Sequence, residues 1–160
     1  STRPFPIAKY SEFYFIAAEA AVKGASTQGG KTAYDLINVI RARAGKWSYI
    51  NAENRAYTAD FSAELMVETP KTITIDYILD ERLREYYGEG QRWFELVRTQ
   101  TWAKRAASFT ICGTAWGDHT AINGKRDIQN YLYLRPIPTG QLAGMEMSED
   151  EKAKYQNPGY

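Results

Sequence analysis

Cysteine is nearly absent from this chain: Cys112 stands alone. One thiol excludes an internal disulfide framework and a cysteine-built zinc site. Histidine is equally scarce. His119 has no second histidine to share a metal with and no serine triad pattern around it. Long apolar runs are missing too. The longest, Phe13 to Ala18, falls far short of the ~20 residues a membrane-spanning helix needs. Nor does one sign of charge dominate. Twenty Lys+Arg against 19 Asp+Glu leave +1, so no bulk field draws nucleic acid or anionic lipid. No initiator Met, apolar leader or lipid-attachment cysteine stands near the start. The chain opens at Ser1-Thr2-Arg3-Pro4 as though cut from something longer, and any targeting signal is expected upstream.

What is present is globular. The 160 residues are 44% hydrophobic and 24% charged, values of an ordinary folded protein. A chain of this length builds a core without staples, so one domain over 1–160 is expected. Aromatics are the unusual feature. Twelve Tyr, six Phe and four Trp outnumber the eight Leu. A Tyr-rich core accounts for most of them, but rings that carry a hydroxyl also suit wet surfaces that stack on flat ligands.

Apolar periodicity predicts a mainly helical fold. Tyr10, Phe13, Tyr14, Ala17, Ala20 and Ala21 recur at helical spacing, with Ser11 as the expected N-cap. A second helix is expected over Thr32–Ala44, with Ala33, Leu36, Ile37, Ile40 and Ala44 as its stripe and Gly45 just past its end. Six to eight residues are expected between the two. Residues 46–72 read as an irregular excursion with a short helix over 60–67. Thr74 caps a third helix on Ile75, Ile78, Leu79, Arg82, Leu83 and Tyr86. A fourth is expected from Gln91 to about 105. Periodicity then fails over 106–130. Tyr131–Leu134 reads as a short extended run, and Arg135-Pro136-Ile137-Pro138 cannot be helical. Ser148–Lys154 is a charged stretch that can form a helix.

Little in the chain carries catalytic chemistry. Glu81, Glu85 and Glu89 fall at i,i+4 spacing, as a two-carboxylate site requires. Arg82, Arg84 and Arg92 interleave with them, however, and Asp76 to Arg105 holds six acidic and six basic residues. That balance reads as an ion-pair lattice. Cys112 lacks a base other than His119 and reads as a buried structural thiol. Gly88-Glu89-Gly90 lacks the lysine and glycine spacing of a phosphate cradle. No catalytic residue, metal site or cofactor is assigned. The remaining candidates are aromatic: Trp47, Tyr49, Trp102 and Trp116, in or beside the irregular parts, where sugar C–H faces can stack.

Several ordered blocks point further. Phe5-Pro6-Ile7-Ala8-Lys9-Tyr10-Ser11-Glu12 leads into Ala18-Glu19-Ala20. Ala33, Asn38, Arg41, Arg43, Ala44 and Gly45 follow. Ile78-Leu79-Asp80-Glu81-Arg82 and Glu85 precede Glu89-Gly90-Gln91-Arg92-Trp93-Phe94-Glu95-Leu96 and Arg98. Leu134-Arg135-Pro136-Ile137-Pro138 and Gln156-Asn157-Pro158-Gly159-Tyr160 close the chain. Together these resemble the C-terminal part of the SusD/RagB family, with Glu95 where that family usually has Asp. The resemblance implies a fold of tetratricopeptide-like helical hairpins with little β structure, in a fragment of a longer protein. It implies no enzyme. Members are surface lipoproteins of Bacteroidetes, anchored at the outer membrane through a lipid on the N-terminal part. They bind oligosaccharides or polysaccharides, or peptides in some branches, and hand them to a SusC-like TonB-dependent transporter. Glu19, Arg82, Glu89 and Arg92 read as framework ion pairs. The alternative is a helical protein-interaction domain that contacts the transporter, with the ligand bound elsewhere in the parent protein.

Overall fold

The computed structural model describes residues 8–50, 53, 55–113, 117 and 119–160. Among them are eight α-helices and two small two-stranded sheets, a mainly helical architecture compatible with tetratricopeptide-like hairpins. No helix among the described residues is long and apolar enough to cross a membrane. The chain divides into two compact units, Ser1–Glu89 and Gly90–Tyr160.

In the first unit, α1 (Ser11–Val22) and α2 (Ala33–Ala44) pack against each other, and α4 (Ile75–Glu85) packs on α1. The core is Phe15 and Ala18 of α1, Ile37 and Ile40 of α2, then Ile73, Ile78 and Tyr86. The buried face of α1 is therefore not the Tyr10–Phe13–Ala17 stripe, because this helix is apolar on nearly every side. Ser11 is the first helical residue rather than the cap, and its hydroxyl lies 3.3 Å from the Tyr86 hydroxyl. The connection spans residues 23–32, longer than expected, because it holds a 3-10 turn at Gln28–Gly30. Thr32 caps α2 through a reciprocal box with Asp35.

Residues 46–50 and 56–60 are strands, not part of an irregular excursion. β1 (Lys46–Ile50) and β2 (Ala56–Asp60) form an antiparallel hairpin, with Tyr49 opposite Tyr57 and Trp47 opposite Ala59. Polar residues on one face and aromatic residues on the other hide the pattern when only the apolar positions are counted. The hairpin runs into α3 (Ser62–Val67). Thr74 caps α4 by accepting the Tyr77 N–H.

Ion pairs and polar contacts tie these helices together. Buried Arg82 meets Glu12 at 2.7 Å, and the Tyr86 hydroxyl donates to the same carboxylate at 2.9 Å. Arg41 of α2 reaches Glu81 at 2.6 Å and donates to the Leu65 carbonyl at 2.9 Å. Arg43 pairs with Glu85, and Lys9 with Glu89. Glu19 pairs with Lys23 inside α1 at 2.7 Å. Thr69 donates to Asn38 at 2.6 Å in the interior.

In the second unit the expected single helix is two. α5 (Arg92–Arg98) ends at Thr99, Gln100 adopts φ 55°, and α6 (Trp102–Ala106) begins after it. Glu95 of α5 is buried and pairs with Arg98 at 2.9 Å. β3 (Phe109–Cys112) and β4 (Ala121–Gly124) form a second antiparallel hairpin inside the stretch where helical periodicity fails. Cys112 is exposed, which corrects the buried thiol, because it sits at the end of a short solvent-facing strand. Residues Asn130–Tyr133 form a 3-10 turn rather than an extended run. Then come α7 (Thr139–Ala143), without a sequence signal, and α8 (Glu149–Tyr155), capped by Ser148 and Glu151.

The proline-flanked Ile137 shows why the last two motifs travel together. Its N–H donates to the Gln156 side-chain carbonyl at 2.8 Å, and its carbonyl accepts from the same amide at 3.0 Å. Asn157 donates to the Arg135 carbonyl at 2.6 Å, and the Tyr160 hydroxyl to the Leu134 carbonyl at 2.9 Å. Pro136 and Pro138 carry no N–H, so side chains from the chain's end supply the pairing a strand would have given.

Candidate functional site

The first hairpin gathers four rings. Alternation along β1 puts Trp47 and Tyr49 on one face. Register adds Tyr57 from across, and Phe61 follows β2 on the same side. Trp47 and Tyr49 lie 5.1 Å apart at 22°, Tyr49 and Tyr57 5.2 Å apart at 13°, and Trp47 and Phe61 6.5 Å apart at 30°. All are near-parallel stacks. Each of the four residues is 42–50% exposed, so about half of its surface meets solvent. Tyr57 of β2 and Phe61 just after it are the two ends of the row, and Tyr49 and Trp47 of β1 lie between them. Such cross-strand aromatic pairs also stabilise the hairpin that presents them.

Gly45 holds this array to the helices. A Cβ there would lie 2.7 Å from the Ser62 nitrogen and 2.8 Å from the Phe61 carbonyl carbon. The Phe61 N–H donates to the Gly45 carbonyl at 2.9 Å. Only a glycine lets the end of α2 meet the start of α3 this closely. Asp60 accepts the Ser62 N–H at 3.0 Å, and the Ser62 hydroxyl and N–H hold its carboxyl below the ordinary carboxylate value. Lys46, 3.8 Å from Asp60, completes a polar rim.

Trp102 sits in different surroundings. It meets Trp93 edge-on at 6.4 Å and Tyr133 edge-on at 5.7 Å. The Tyr133 hydroxyl accepts the Ala103 N–H at 2.9 Å, and the Arg135 guanidinium lies 4.4 Å from the Trp93 ring centre. This trio is half-buried packing. Trp116 lies outside the described residues. The structure thus brings Trp47 and Tyr49 together and adds Tyr57 and Phe61, all in the first unit; Trp102 belongs to the second. Tyr57 and Phe61 lie in the same aromatic-bearing stretch of the sequence, and only the hairpin register shows that they adjoin the first two.

The titratable groups are engaged in structure. Glu81 is buried, which pushes its carboxyl up, but Arg84 and Arg41 outweigh that and hold it below its ordinary value. Burial drives the Tyr86 hydroxyl up to about 12; Ser11 opposes the shift and Glu12 adds to it. Glu19, Arg82 and Glu89 sit in the pairs given above, and Arg92 opens α5. Among the described residues no group of three His, Cys, Asp or Glu side chains is placed to hold a metal ion.

No curated protein matches the chain. Its whole length, residues 1–160, matches the family model of the SusD family. The framework contacts fall on the motif residues: Asn38, Arg41, Arg43 and Gly45 on and after α2, Glu81, Arg82 and Glu85 on α4, and the Ile137–Gln156 pairing near the end. The chain belongs to the SusD family, whose members are non-catalytic, glycan-binding nutrient-uptake proteins associated with the outer membrane.

Proposed function

We propose that this chain carries part of a glycan-binding surface, and that the hairpin array of Trp47, Tyr49, Tyr57 and Phe61 is its contact. In the parent lipoprotein, the captured oligosaccharide or polysaccharide passes to a SusC-like TonB-dependent transporter. The carrying observation is four adjacent rings on one hairpin face, each about half open.

The geometry says which parts of the rings serve. Inner ring faces are occupied by neighbouring rings. The outer faces of Tyr57 and Phe61 meet no further ring among the described residues, and these faces suit the C–H side of a pyranose. The edges of Tyr49 and Tyr57 present hydroxyls that can exchange hydrogen bonds with sugar hydroxyls. Covering about 60 Å² of one ring is worth about 1.5 kcal/mol, roughly tenfold in affinity. Binding is therefore the sum of several modest contacts, suited to a ligand that must be released again. No covalent step is involved.

The test is titration calorimetry of the chain against soluble α- and β-linked oligosaccharides and polysaccharides. Saturable binding that quenches tryptophan fluorescence supports the reading. Absence of binding across the whole panel contradicts it.

A further inference from the structure

Among the described residues, the flat faces that the row leaves uncovered belong to its two ends. Trp47 lies between Tyr49 and Phe61, and Tyr49 between Trp47 and Tyr57, with neighbouring planes tilted by 30° or less. Near-parallel planes make the outer faces of Tyr57 and Phe61 look away from each other. Tyr57 stands on β2 opposite Tyr49, and Phe61 stands where β2 runs into α3. Four residues of chain separate them, about 13 Å at ~3.3 Å per residue. Ala59 between them adds no ring and lies opposite Trp47. Tyr49 and Trp47 are 48% and 44% exposed. With both faces of each ring taken, their open parts are edges rather than faces. Those edges carry a hydroxyl and an indole N–H.

Resting on the glycan reading above, we propose that a single sugar chain straddles the row. One sugar unit sits on the outer face of Tyr57 and another on the outer face of Phe61. The units between them pass over the edges of Tyr49 and Trp47. The span selects the ligand class. With a van der Waals contact of about 3.5–4.0 Å on each outer side, the two seated units lie about 20 Å apart. A mono- or disaccharide does not reach across that distance. The two faces look in opposite directions, so the chain must also turn at each end. Chains whose links turn therefore fit, whereas a straight ribbon lies along the edges and stacks on one end at most. The end rings act as linked sites. Once one is occupied, the second contact is intramolecular, and affinity grows with chain length without any new kind of contact.

Affinity against chain length tests it, followed by NMR titration so that weak, short ligands are measured. The probes are malto- and laminari-oligosaccharides, whose links turn, and cello-oligosaccharides, which run straight. Each series starts at the disaccharide and ends at its longest soluble member. In at least one turning series, affinity is expected to rise about tenfold over a narrow range of lengths and then level off, as for one further covered ring. The cello series is expected to show no such step. Y57V and F61L keep strand-forming or apolar bulk but have no flat face. With circular dichroism unchanged, each is expected to erase the step. Disaccharide binding, which needs one end only, falls by no more than about half. A step that persists in both variants overturns the proposal. So does affinity that ignores length in both turning series, or an equal step in the cello series. These results leave the glycan surface itself standing, whereas no binding by any chain of any length overturns both.

Discussion

Arg82 shows how one side chain organises a helical unit. It lies between the Phe15 and Tyr86 rings, 5.2 and 5.3 Å from their centres, and meets Glu12 at 2.7 Å. Removing the carboxylate leaves a buried cation short of a counter-charge. E12Q is expected to lower stability by about 2 kcal/mol, below the fully buried case because Glu12 is partly open. Urea unfolding measures this. Tyr86 shares the site, with its hydroxyl raised to about 12. A raised value stabilises the fold below the ordinary tyrosine value near 10, and that contribution disappears as pH climbs through about 12. Ultraviolet titration is expected to show late-ionising tyrosine, and Y86F is expected to remove part of it; Tyr77, also raised by burial, keeps the rest. Glu81 has the opposite sign. Its depressed value stabilises the fold above about 4.5, and the contribution falls as pH drops through the depressed value. The difference in melting temperature between the chain and E81Q is therefore expected to shrink as pH is lowered from 7 to 3.

At the scale of elements, helices α2 and α4 were legible because a 3.6-residue period agrees with an end signal, Gly45 after α2 and Thr74 before α4. The two hairpins were not. Trp47, Tyr49 and Tyr57 alternate with polar residues over short strands, and their partners are set by register. The split between α5 and α6 was hidden as well, because Gln100 takes a left-handed conformation without glycine to announce it. For the site, Trp47, Tyr49, Tyr57 and Phe61 all show in the sequence as aromatics in one polar stretch, but only Trp47 and Tyr49 are ligand candidates there, because sequence distance conceals which rings adjoin across the strands. Gly45 links element to site. G45A is expected to force apart the Phe61–Ser62 backbone, costing about 1–3 kcal/mol and weakening near-ultraviolet circular dichroism from the stacked rings. In the second unit, Q156L is expected to cost about 1–3 kcal/mol by stripping both backbone groups of Ile137.

For the whole molecule, the family motifs and the proposed ligand surface occupy different residues. Arg41, Arg43, Glu81, Arg82 and Glu85 are spent on helix–helix ties, whereas the hairpin rings bear no motif. The framework therefore speaks for the fold and the family, and the rings speak for the ligand. This separation yields the most direct test: affinity for the best soluble glycan, measured by calorimetry on the chain and on Y49A, Y57A and F61A. Each variant is expected to keep its melting temperature within a few degrees and to lose roughly tenfold in affinity. Undiminished binding in all three folded variants would contradict the hairpin as the glycan-binding surface.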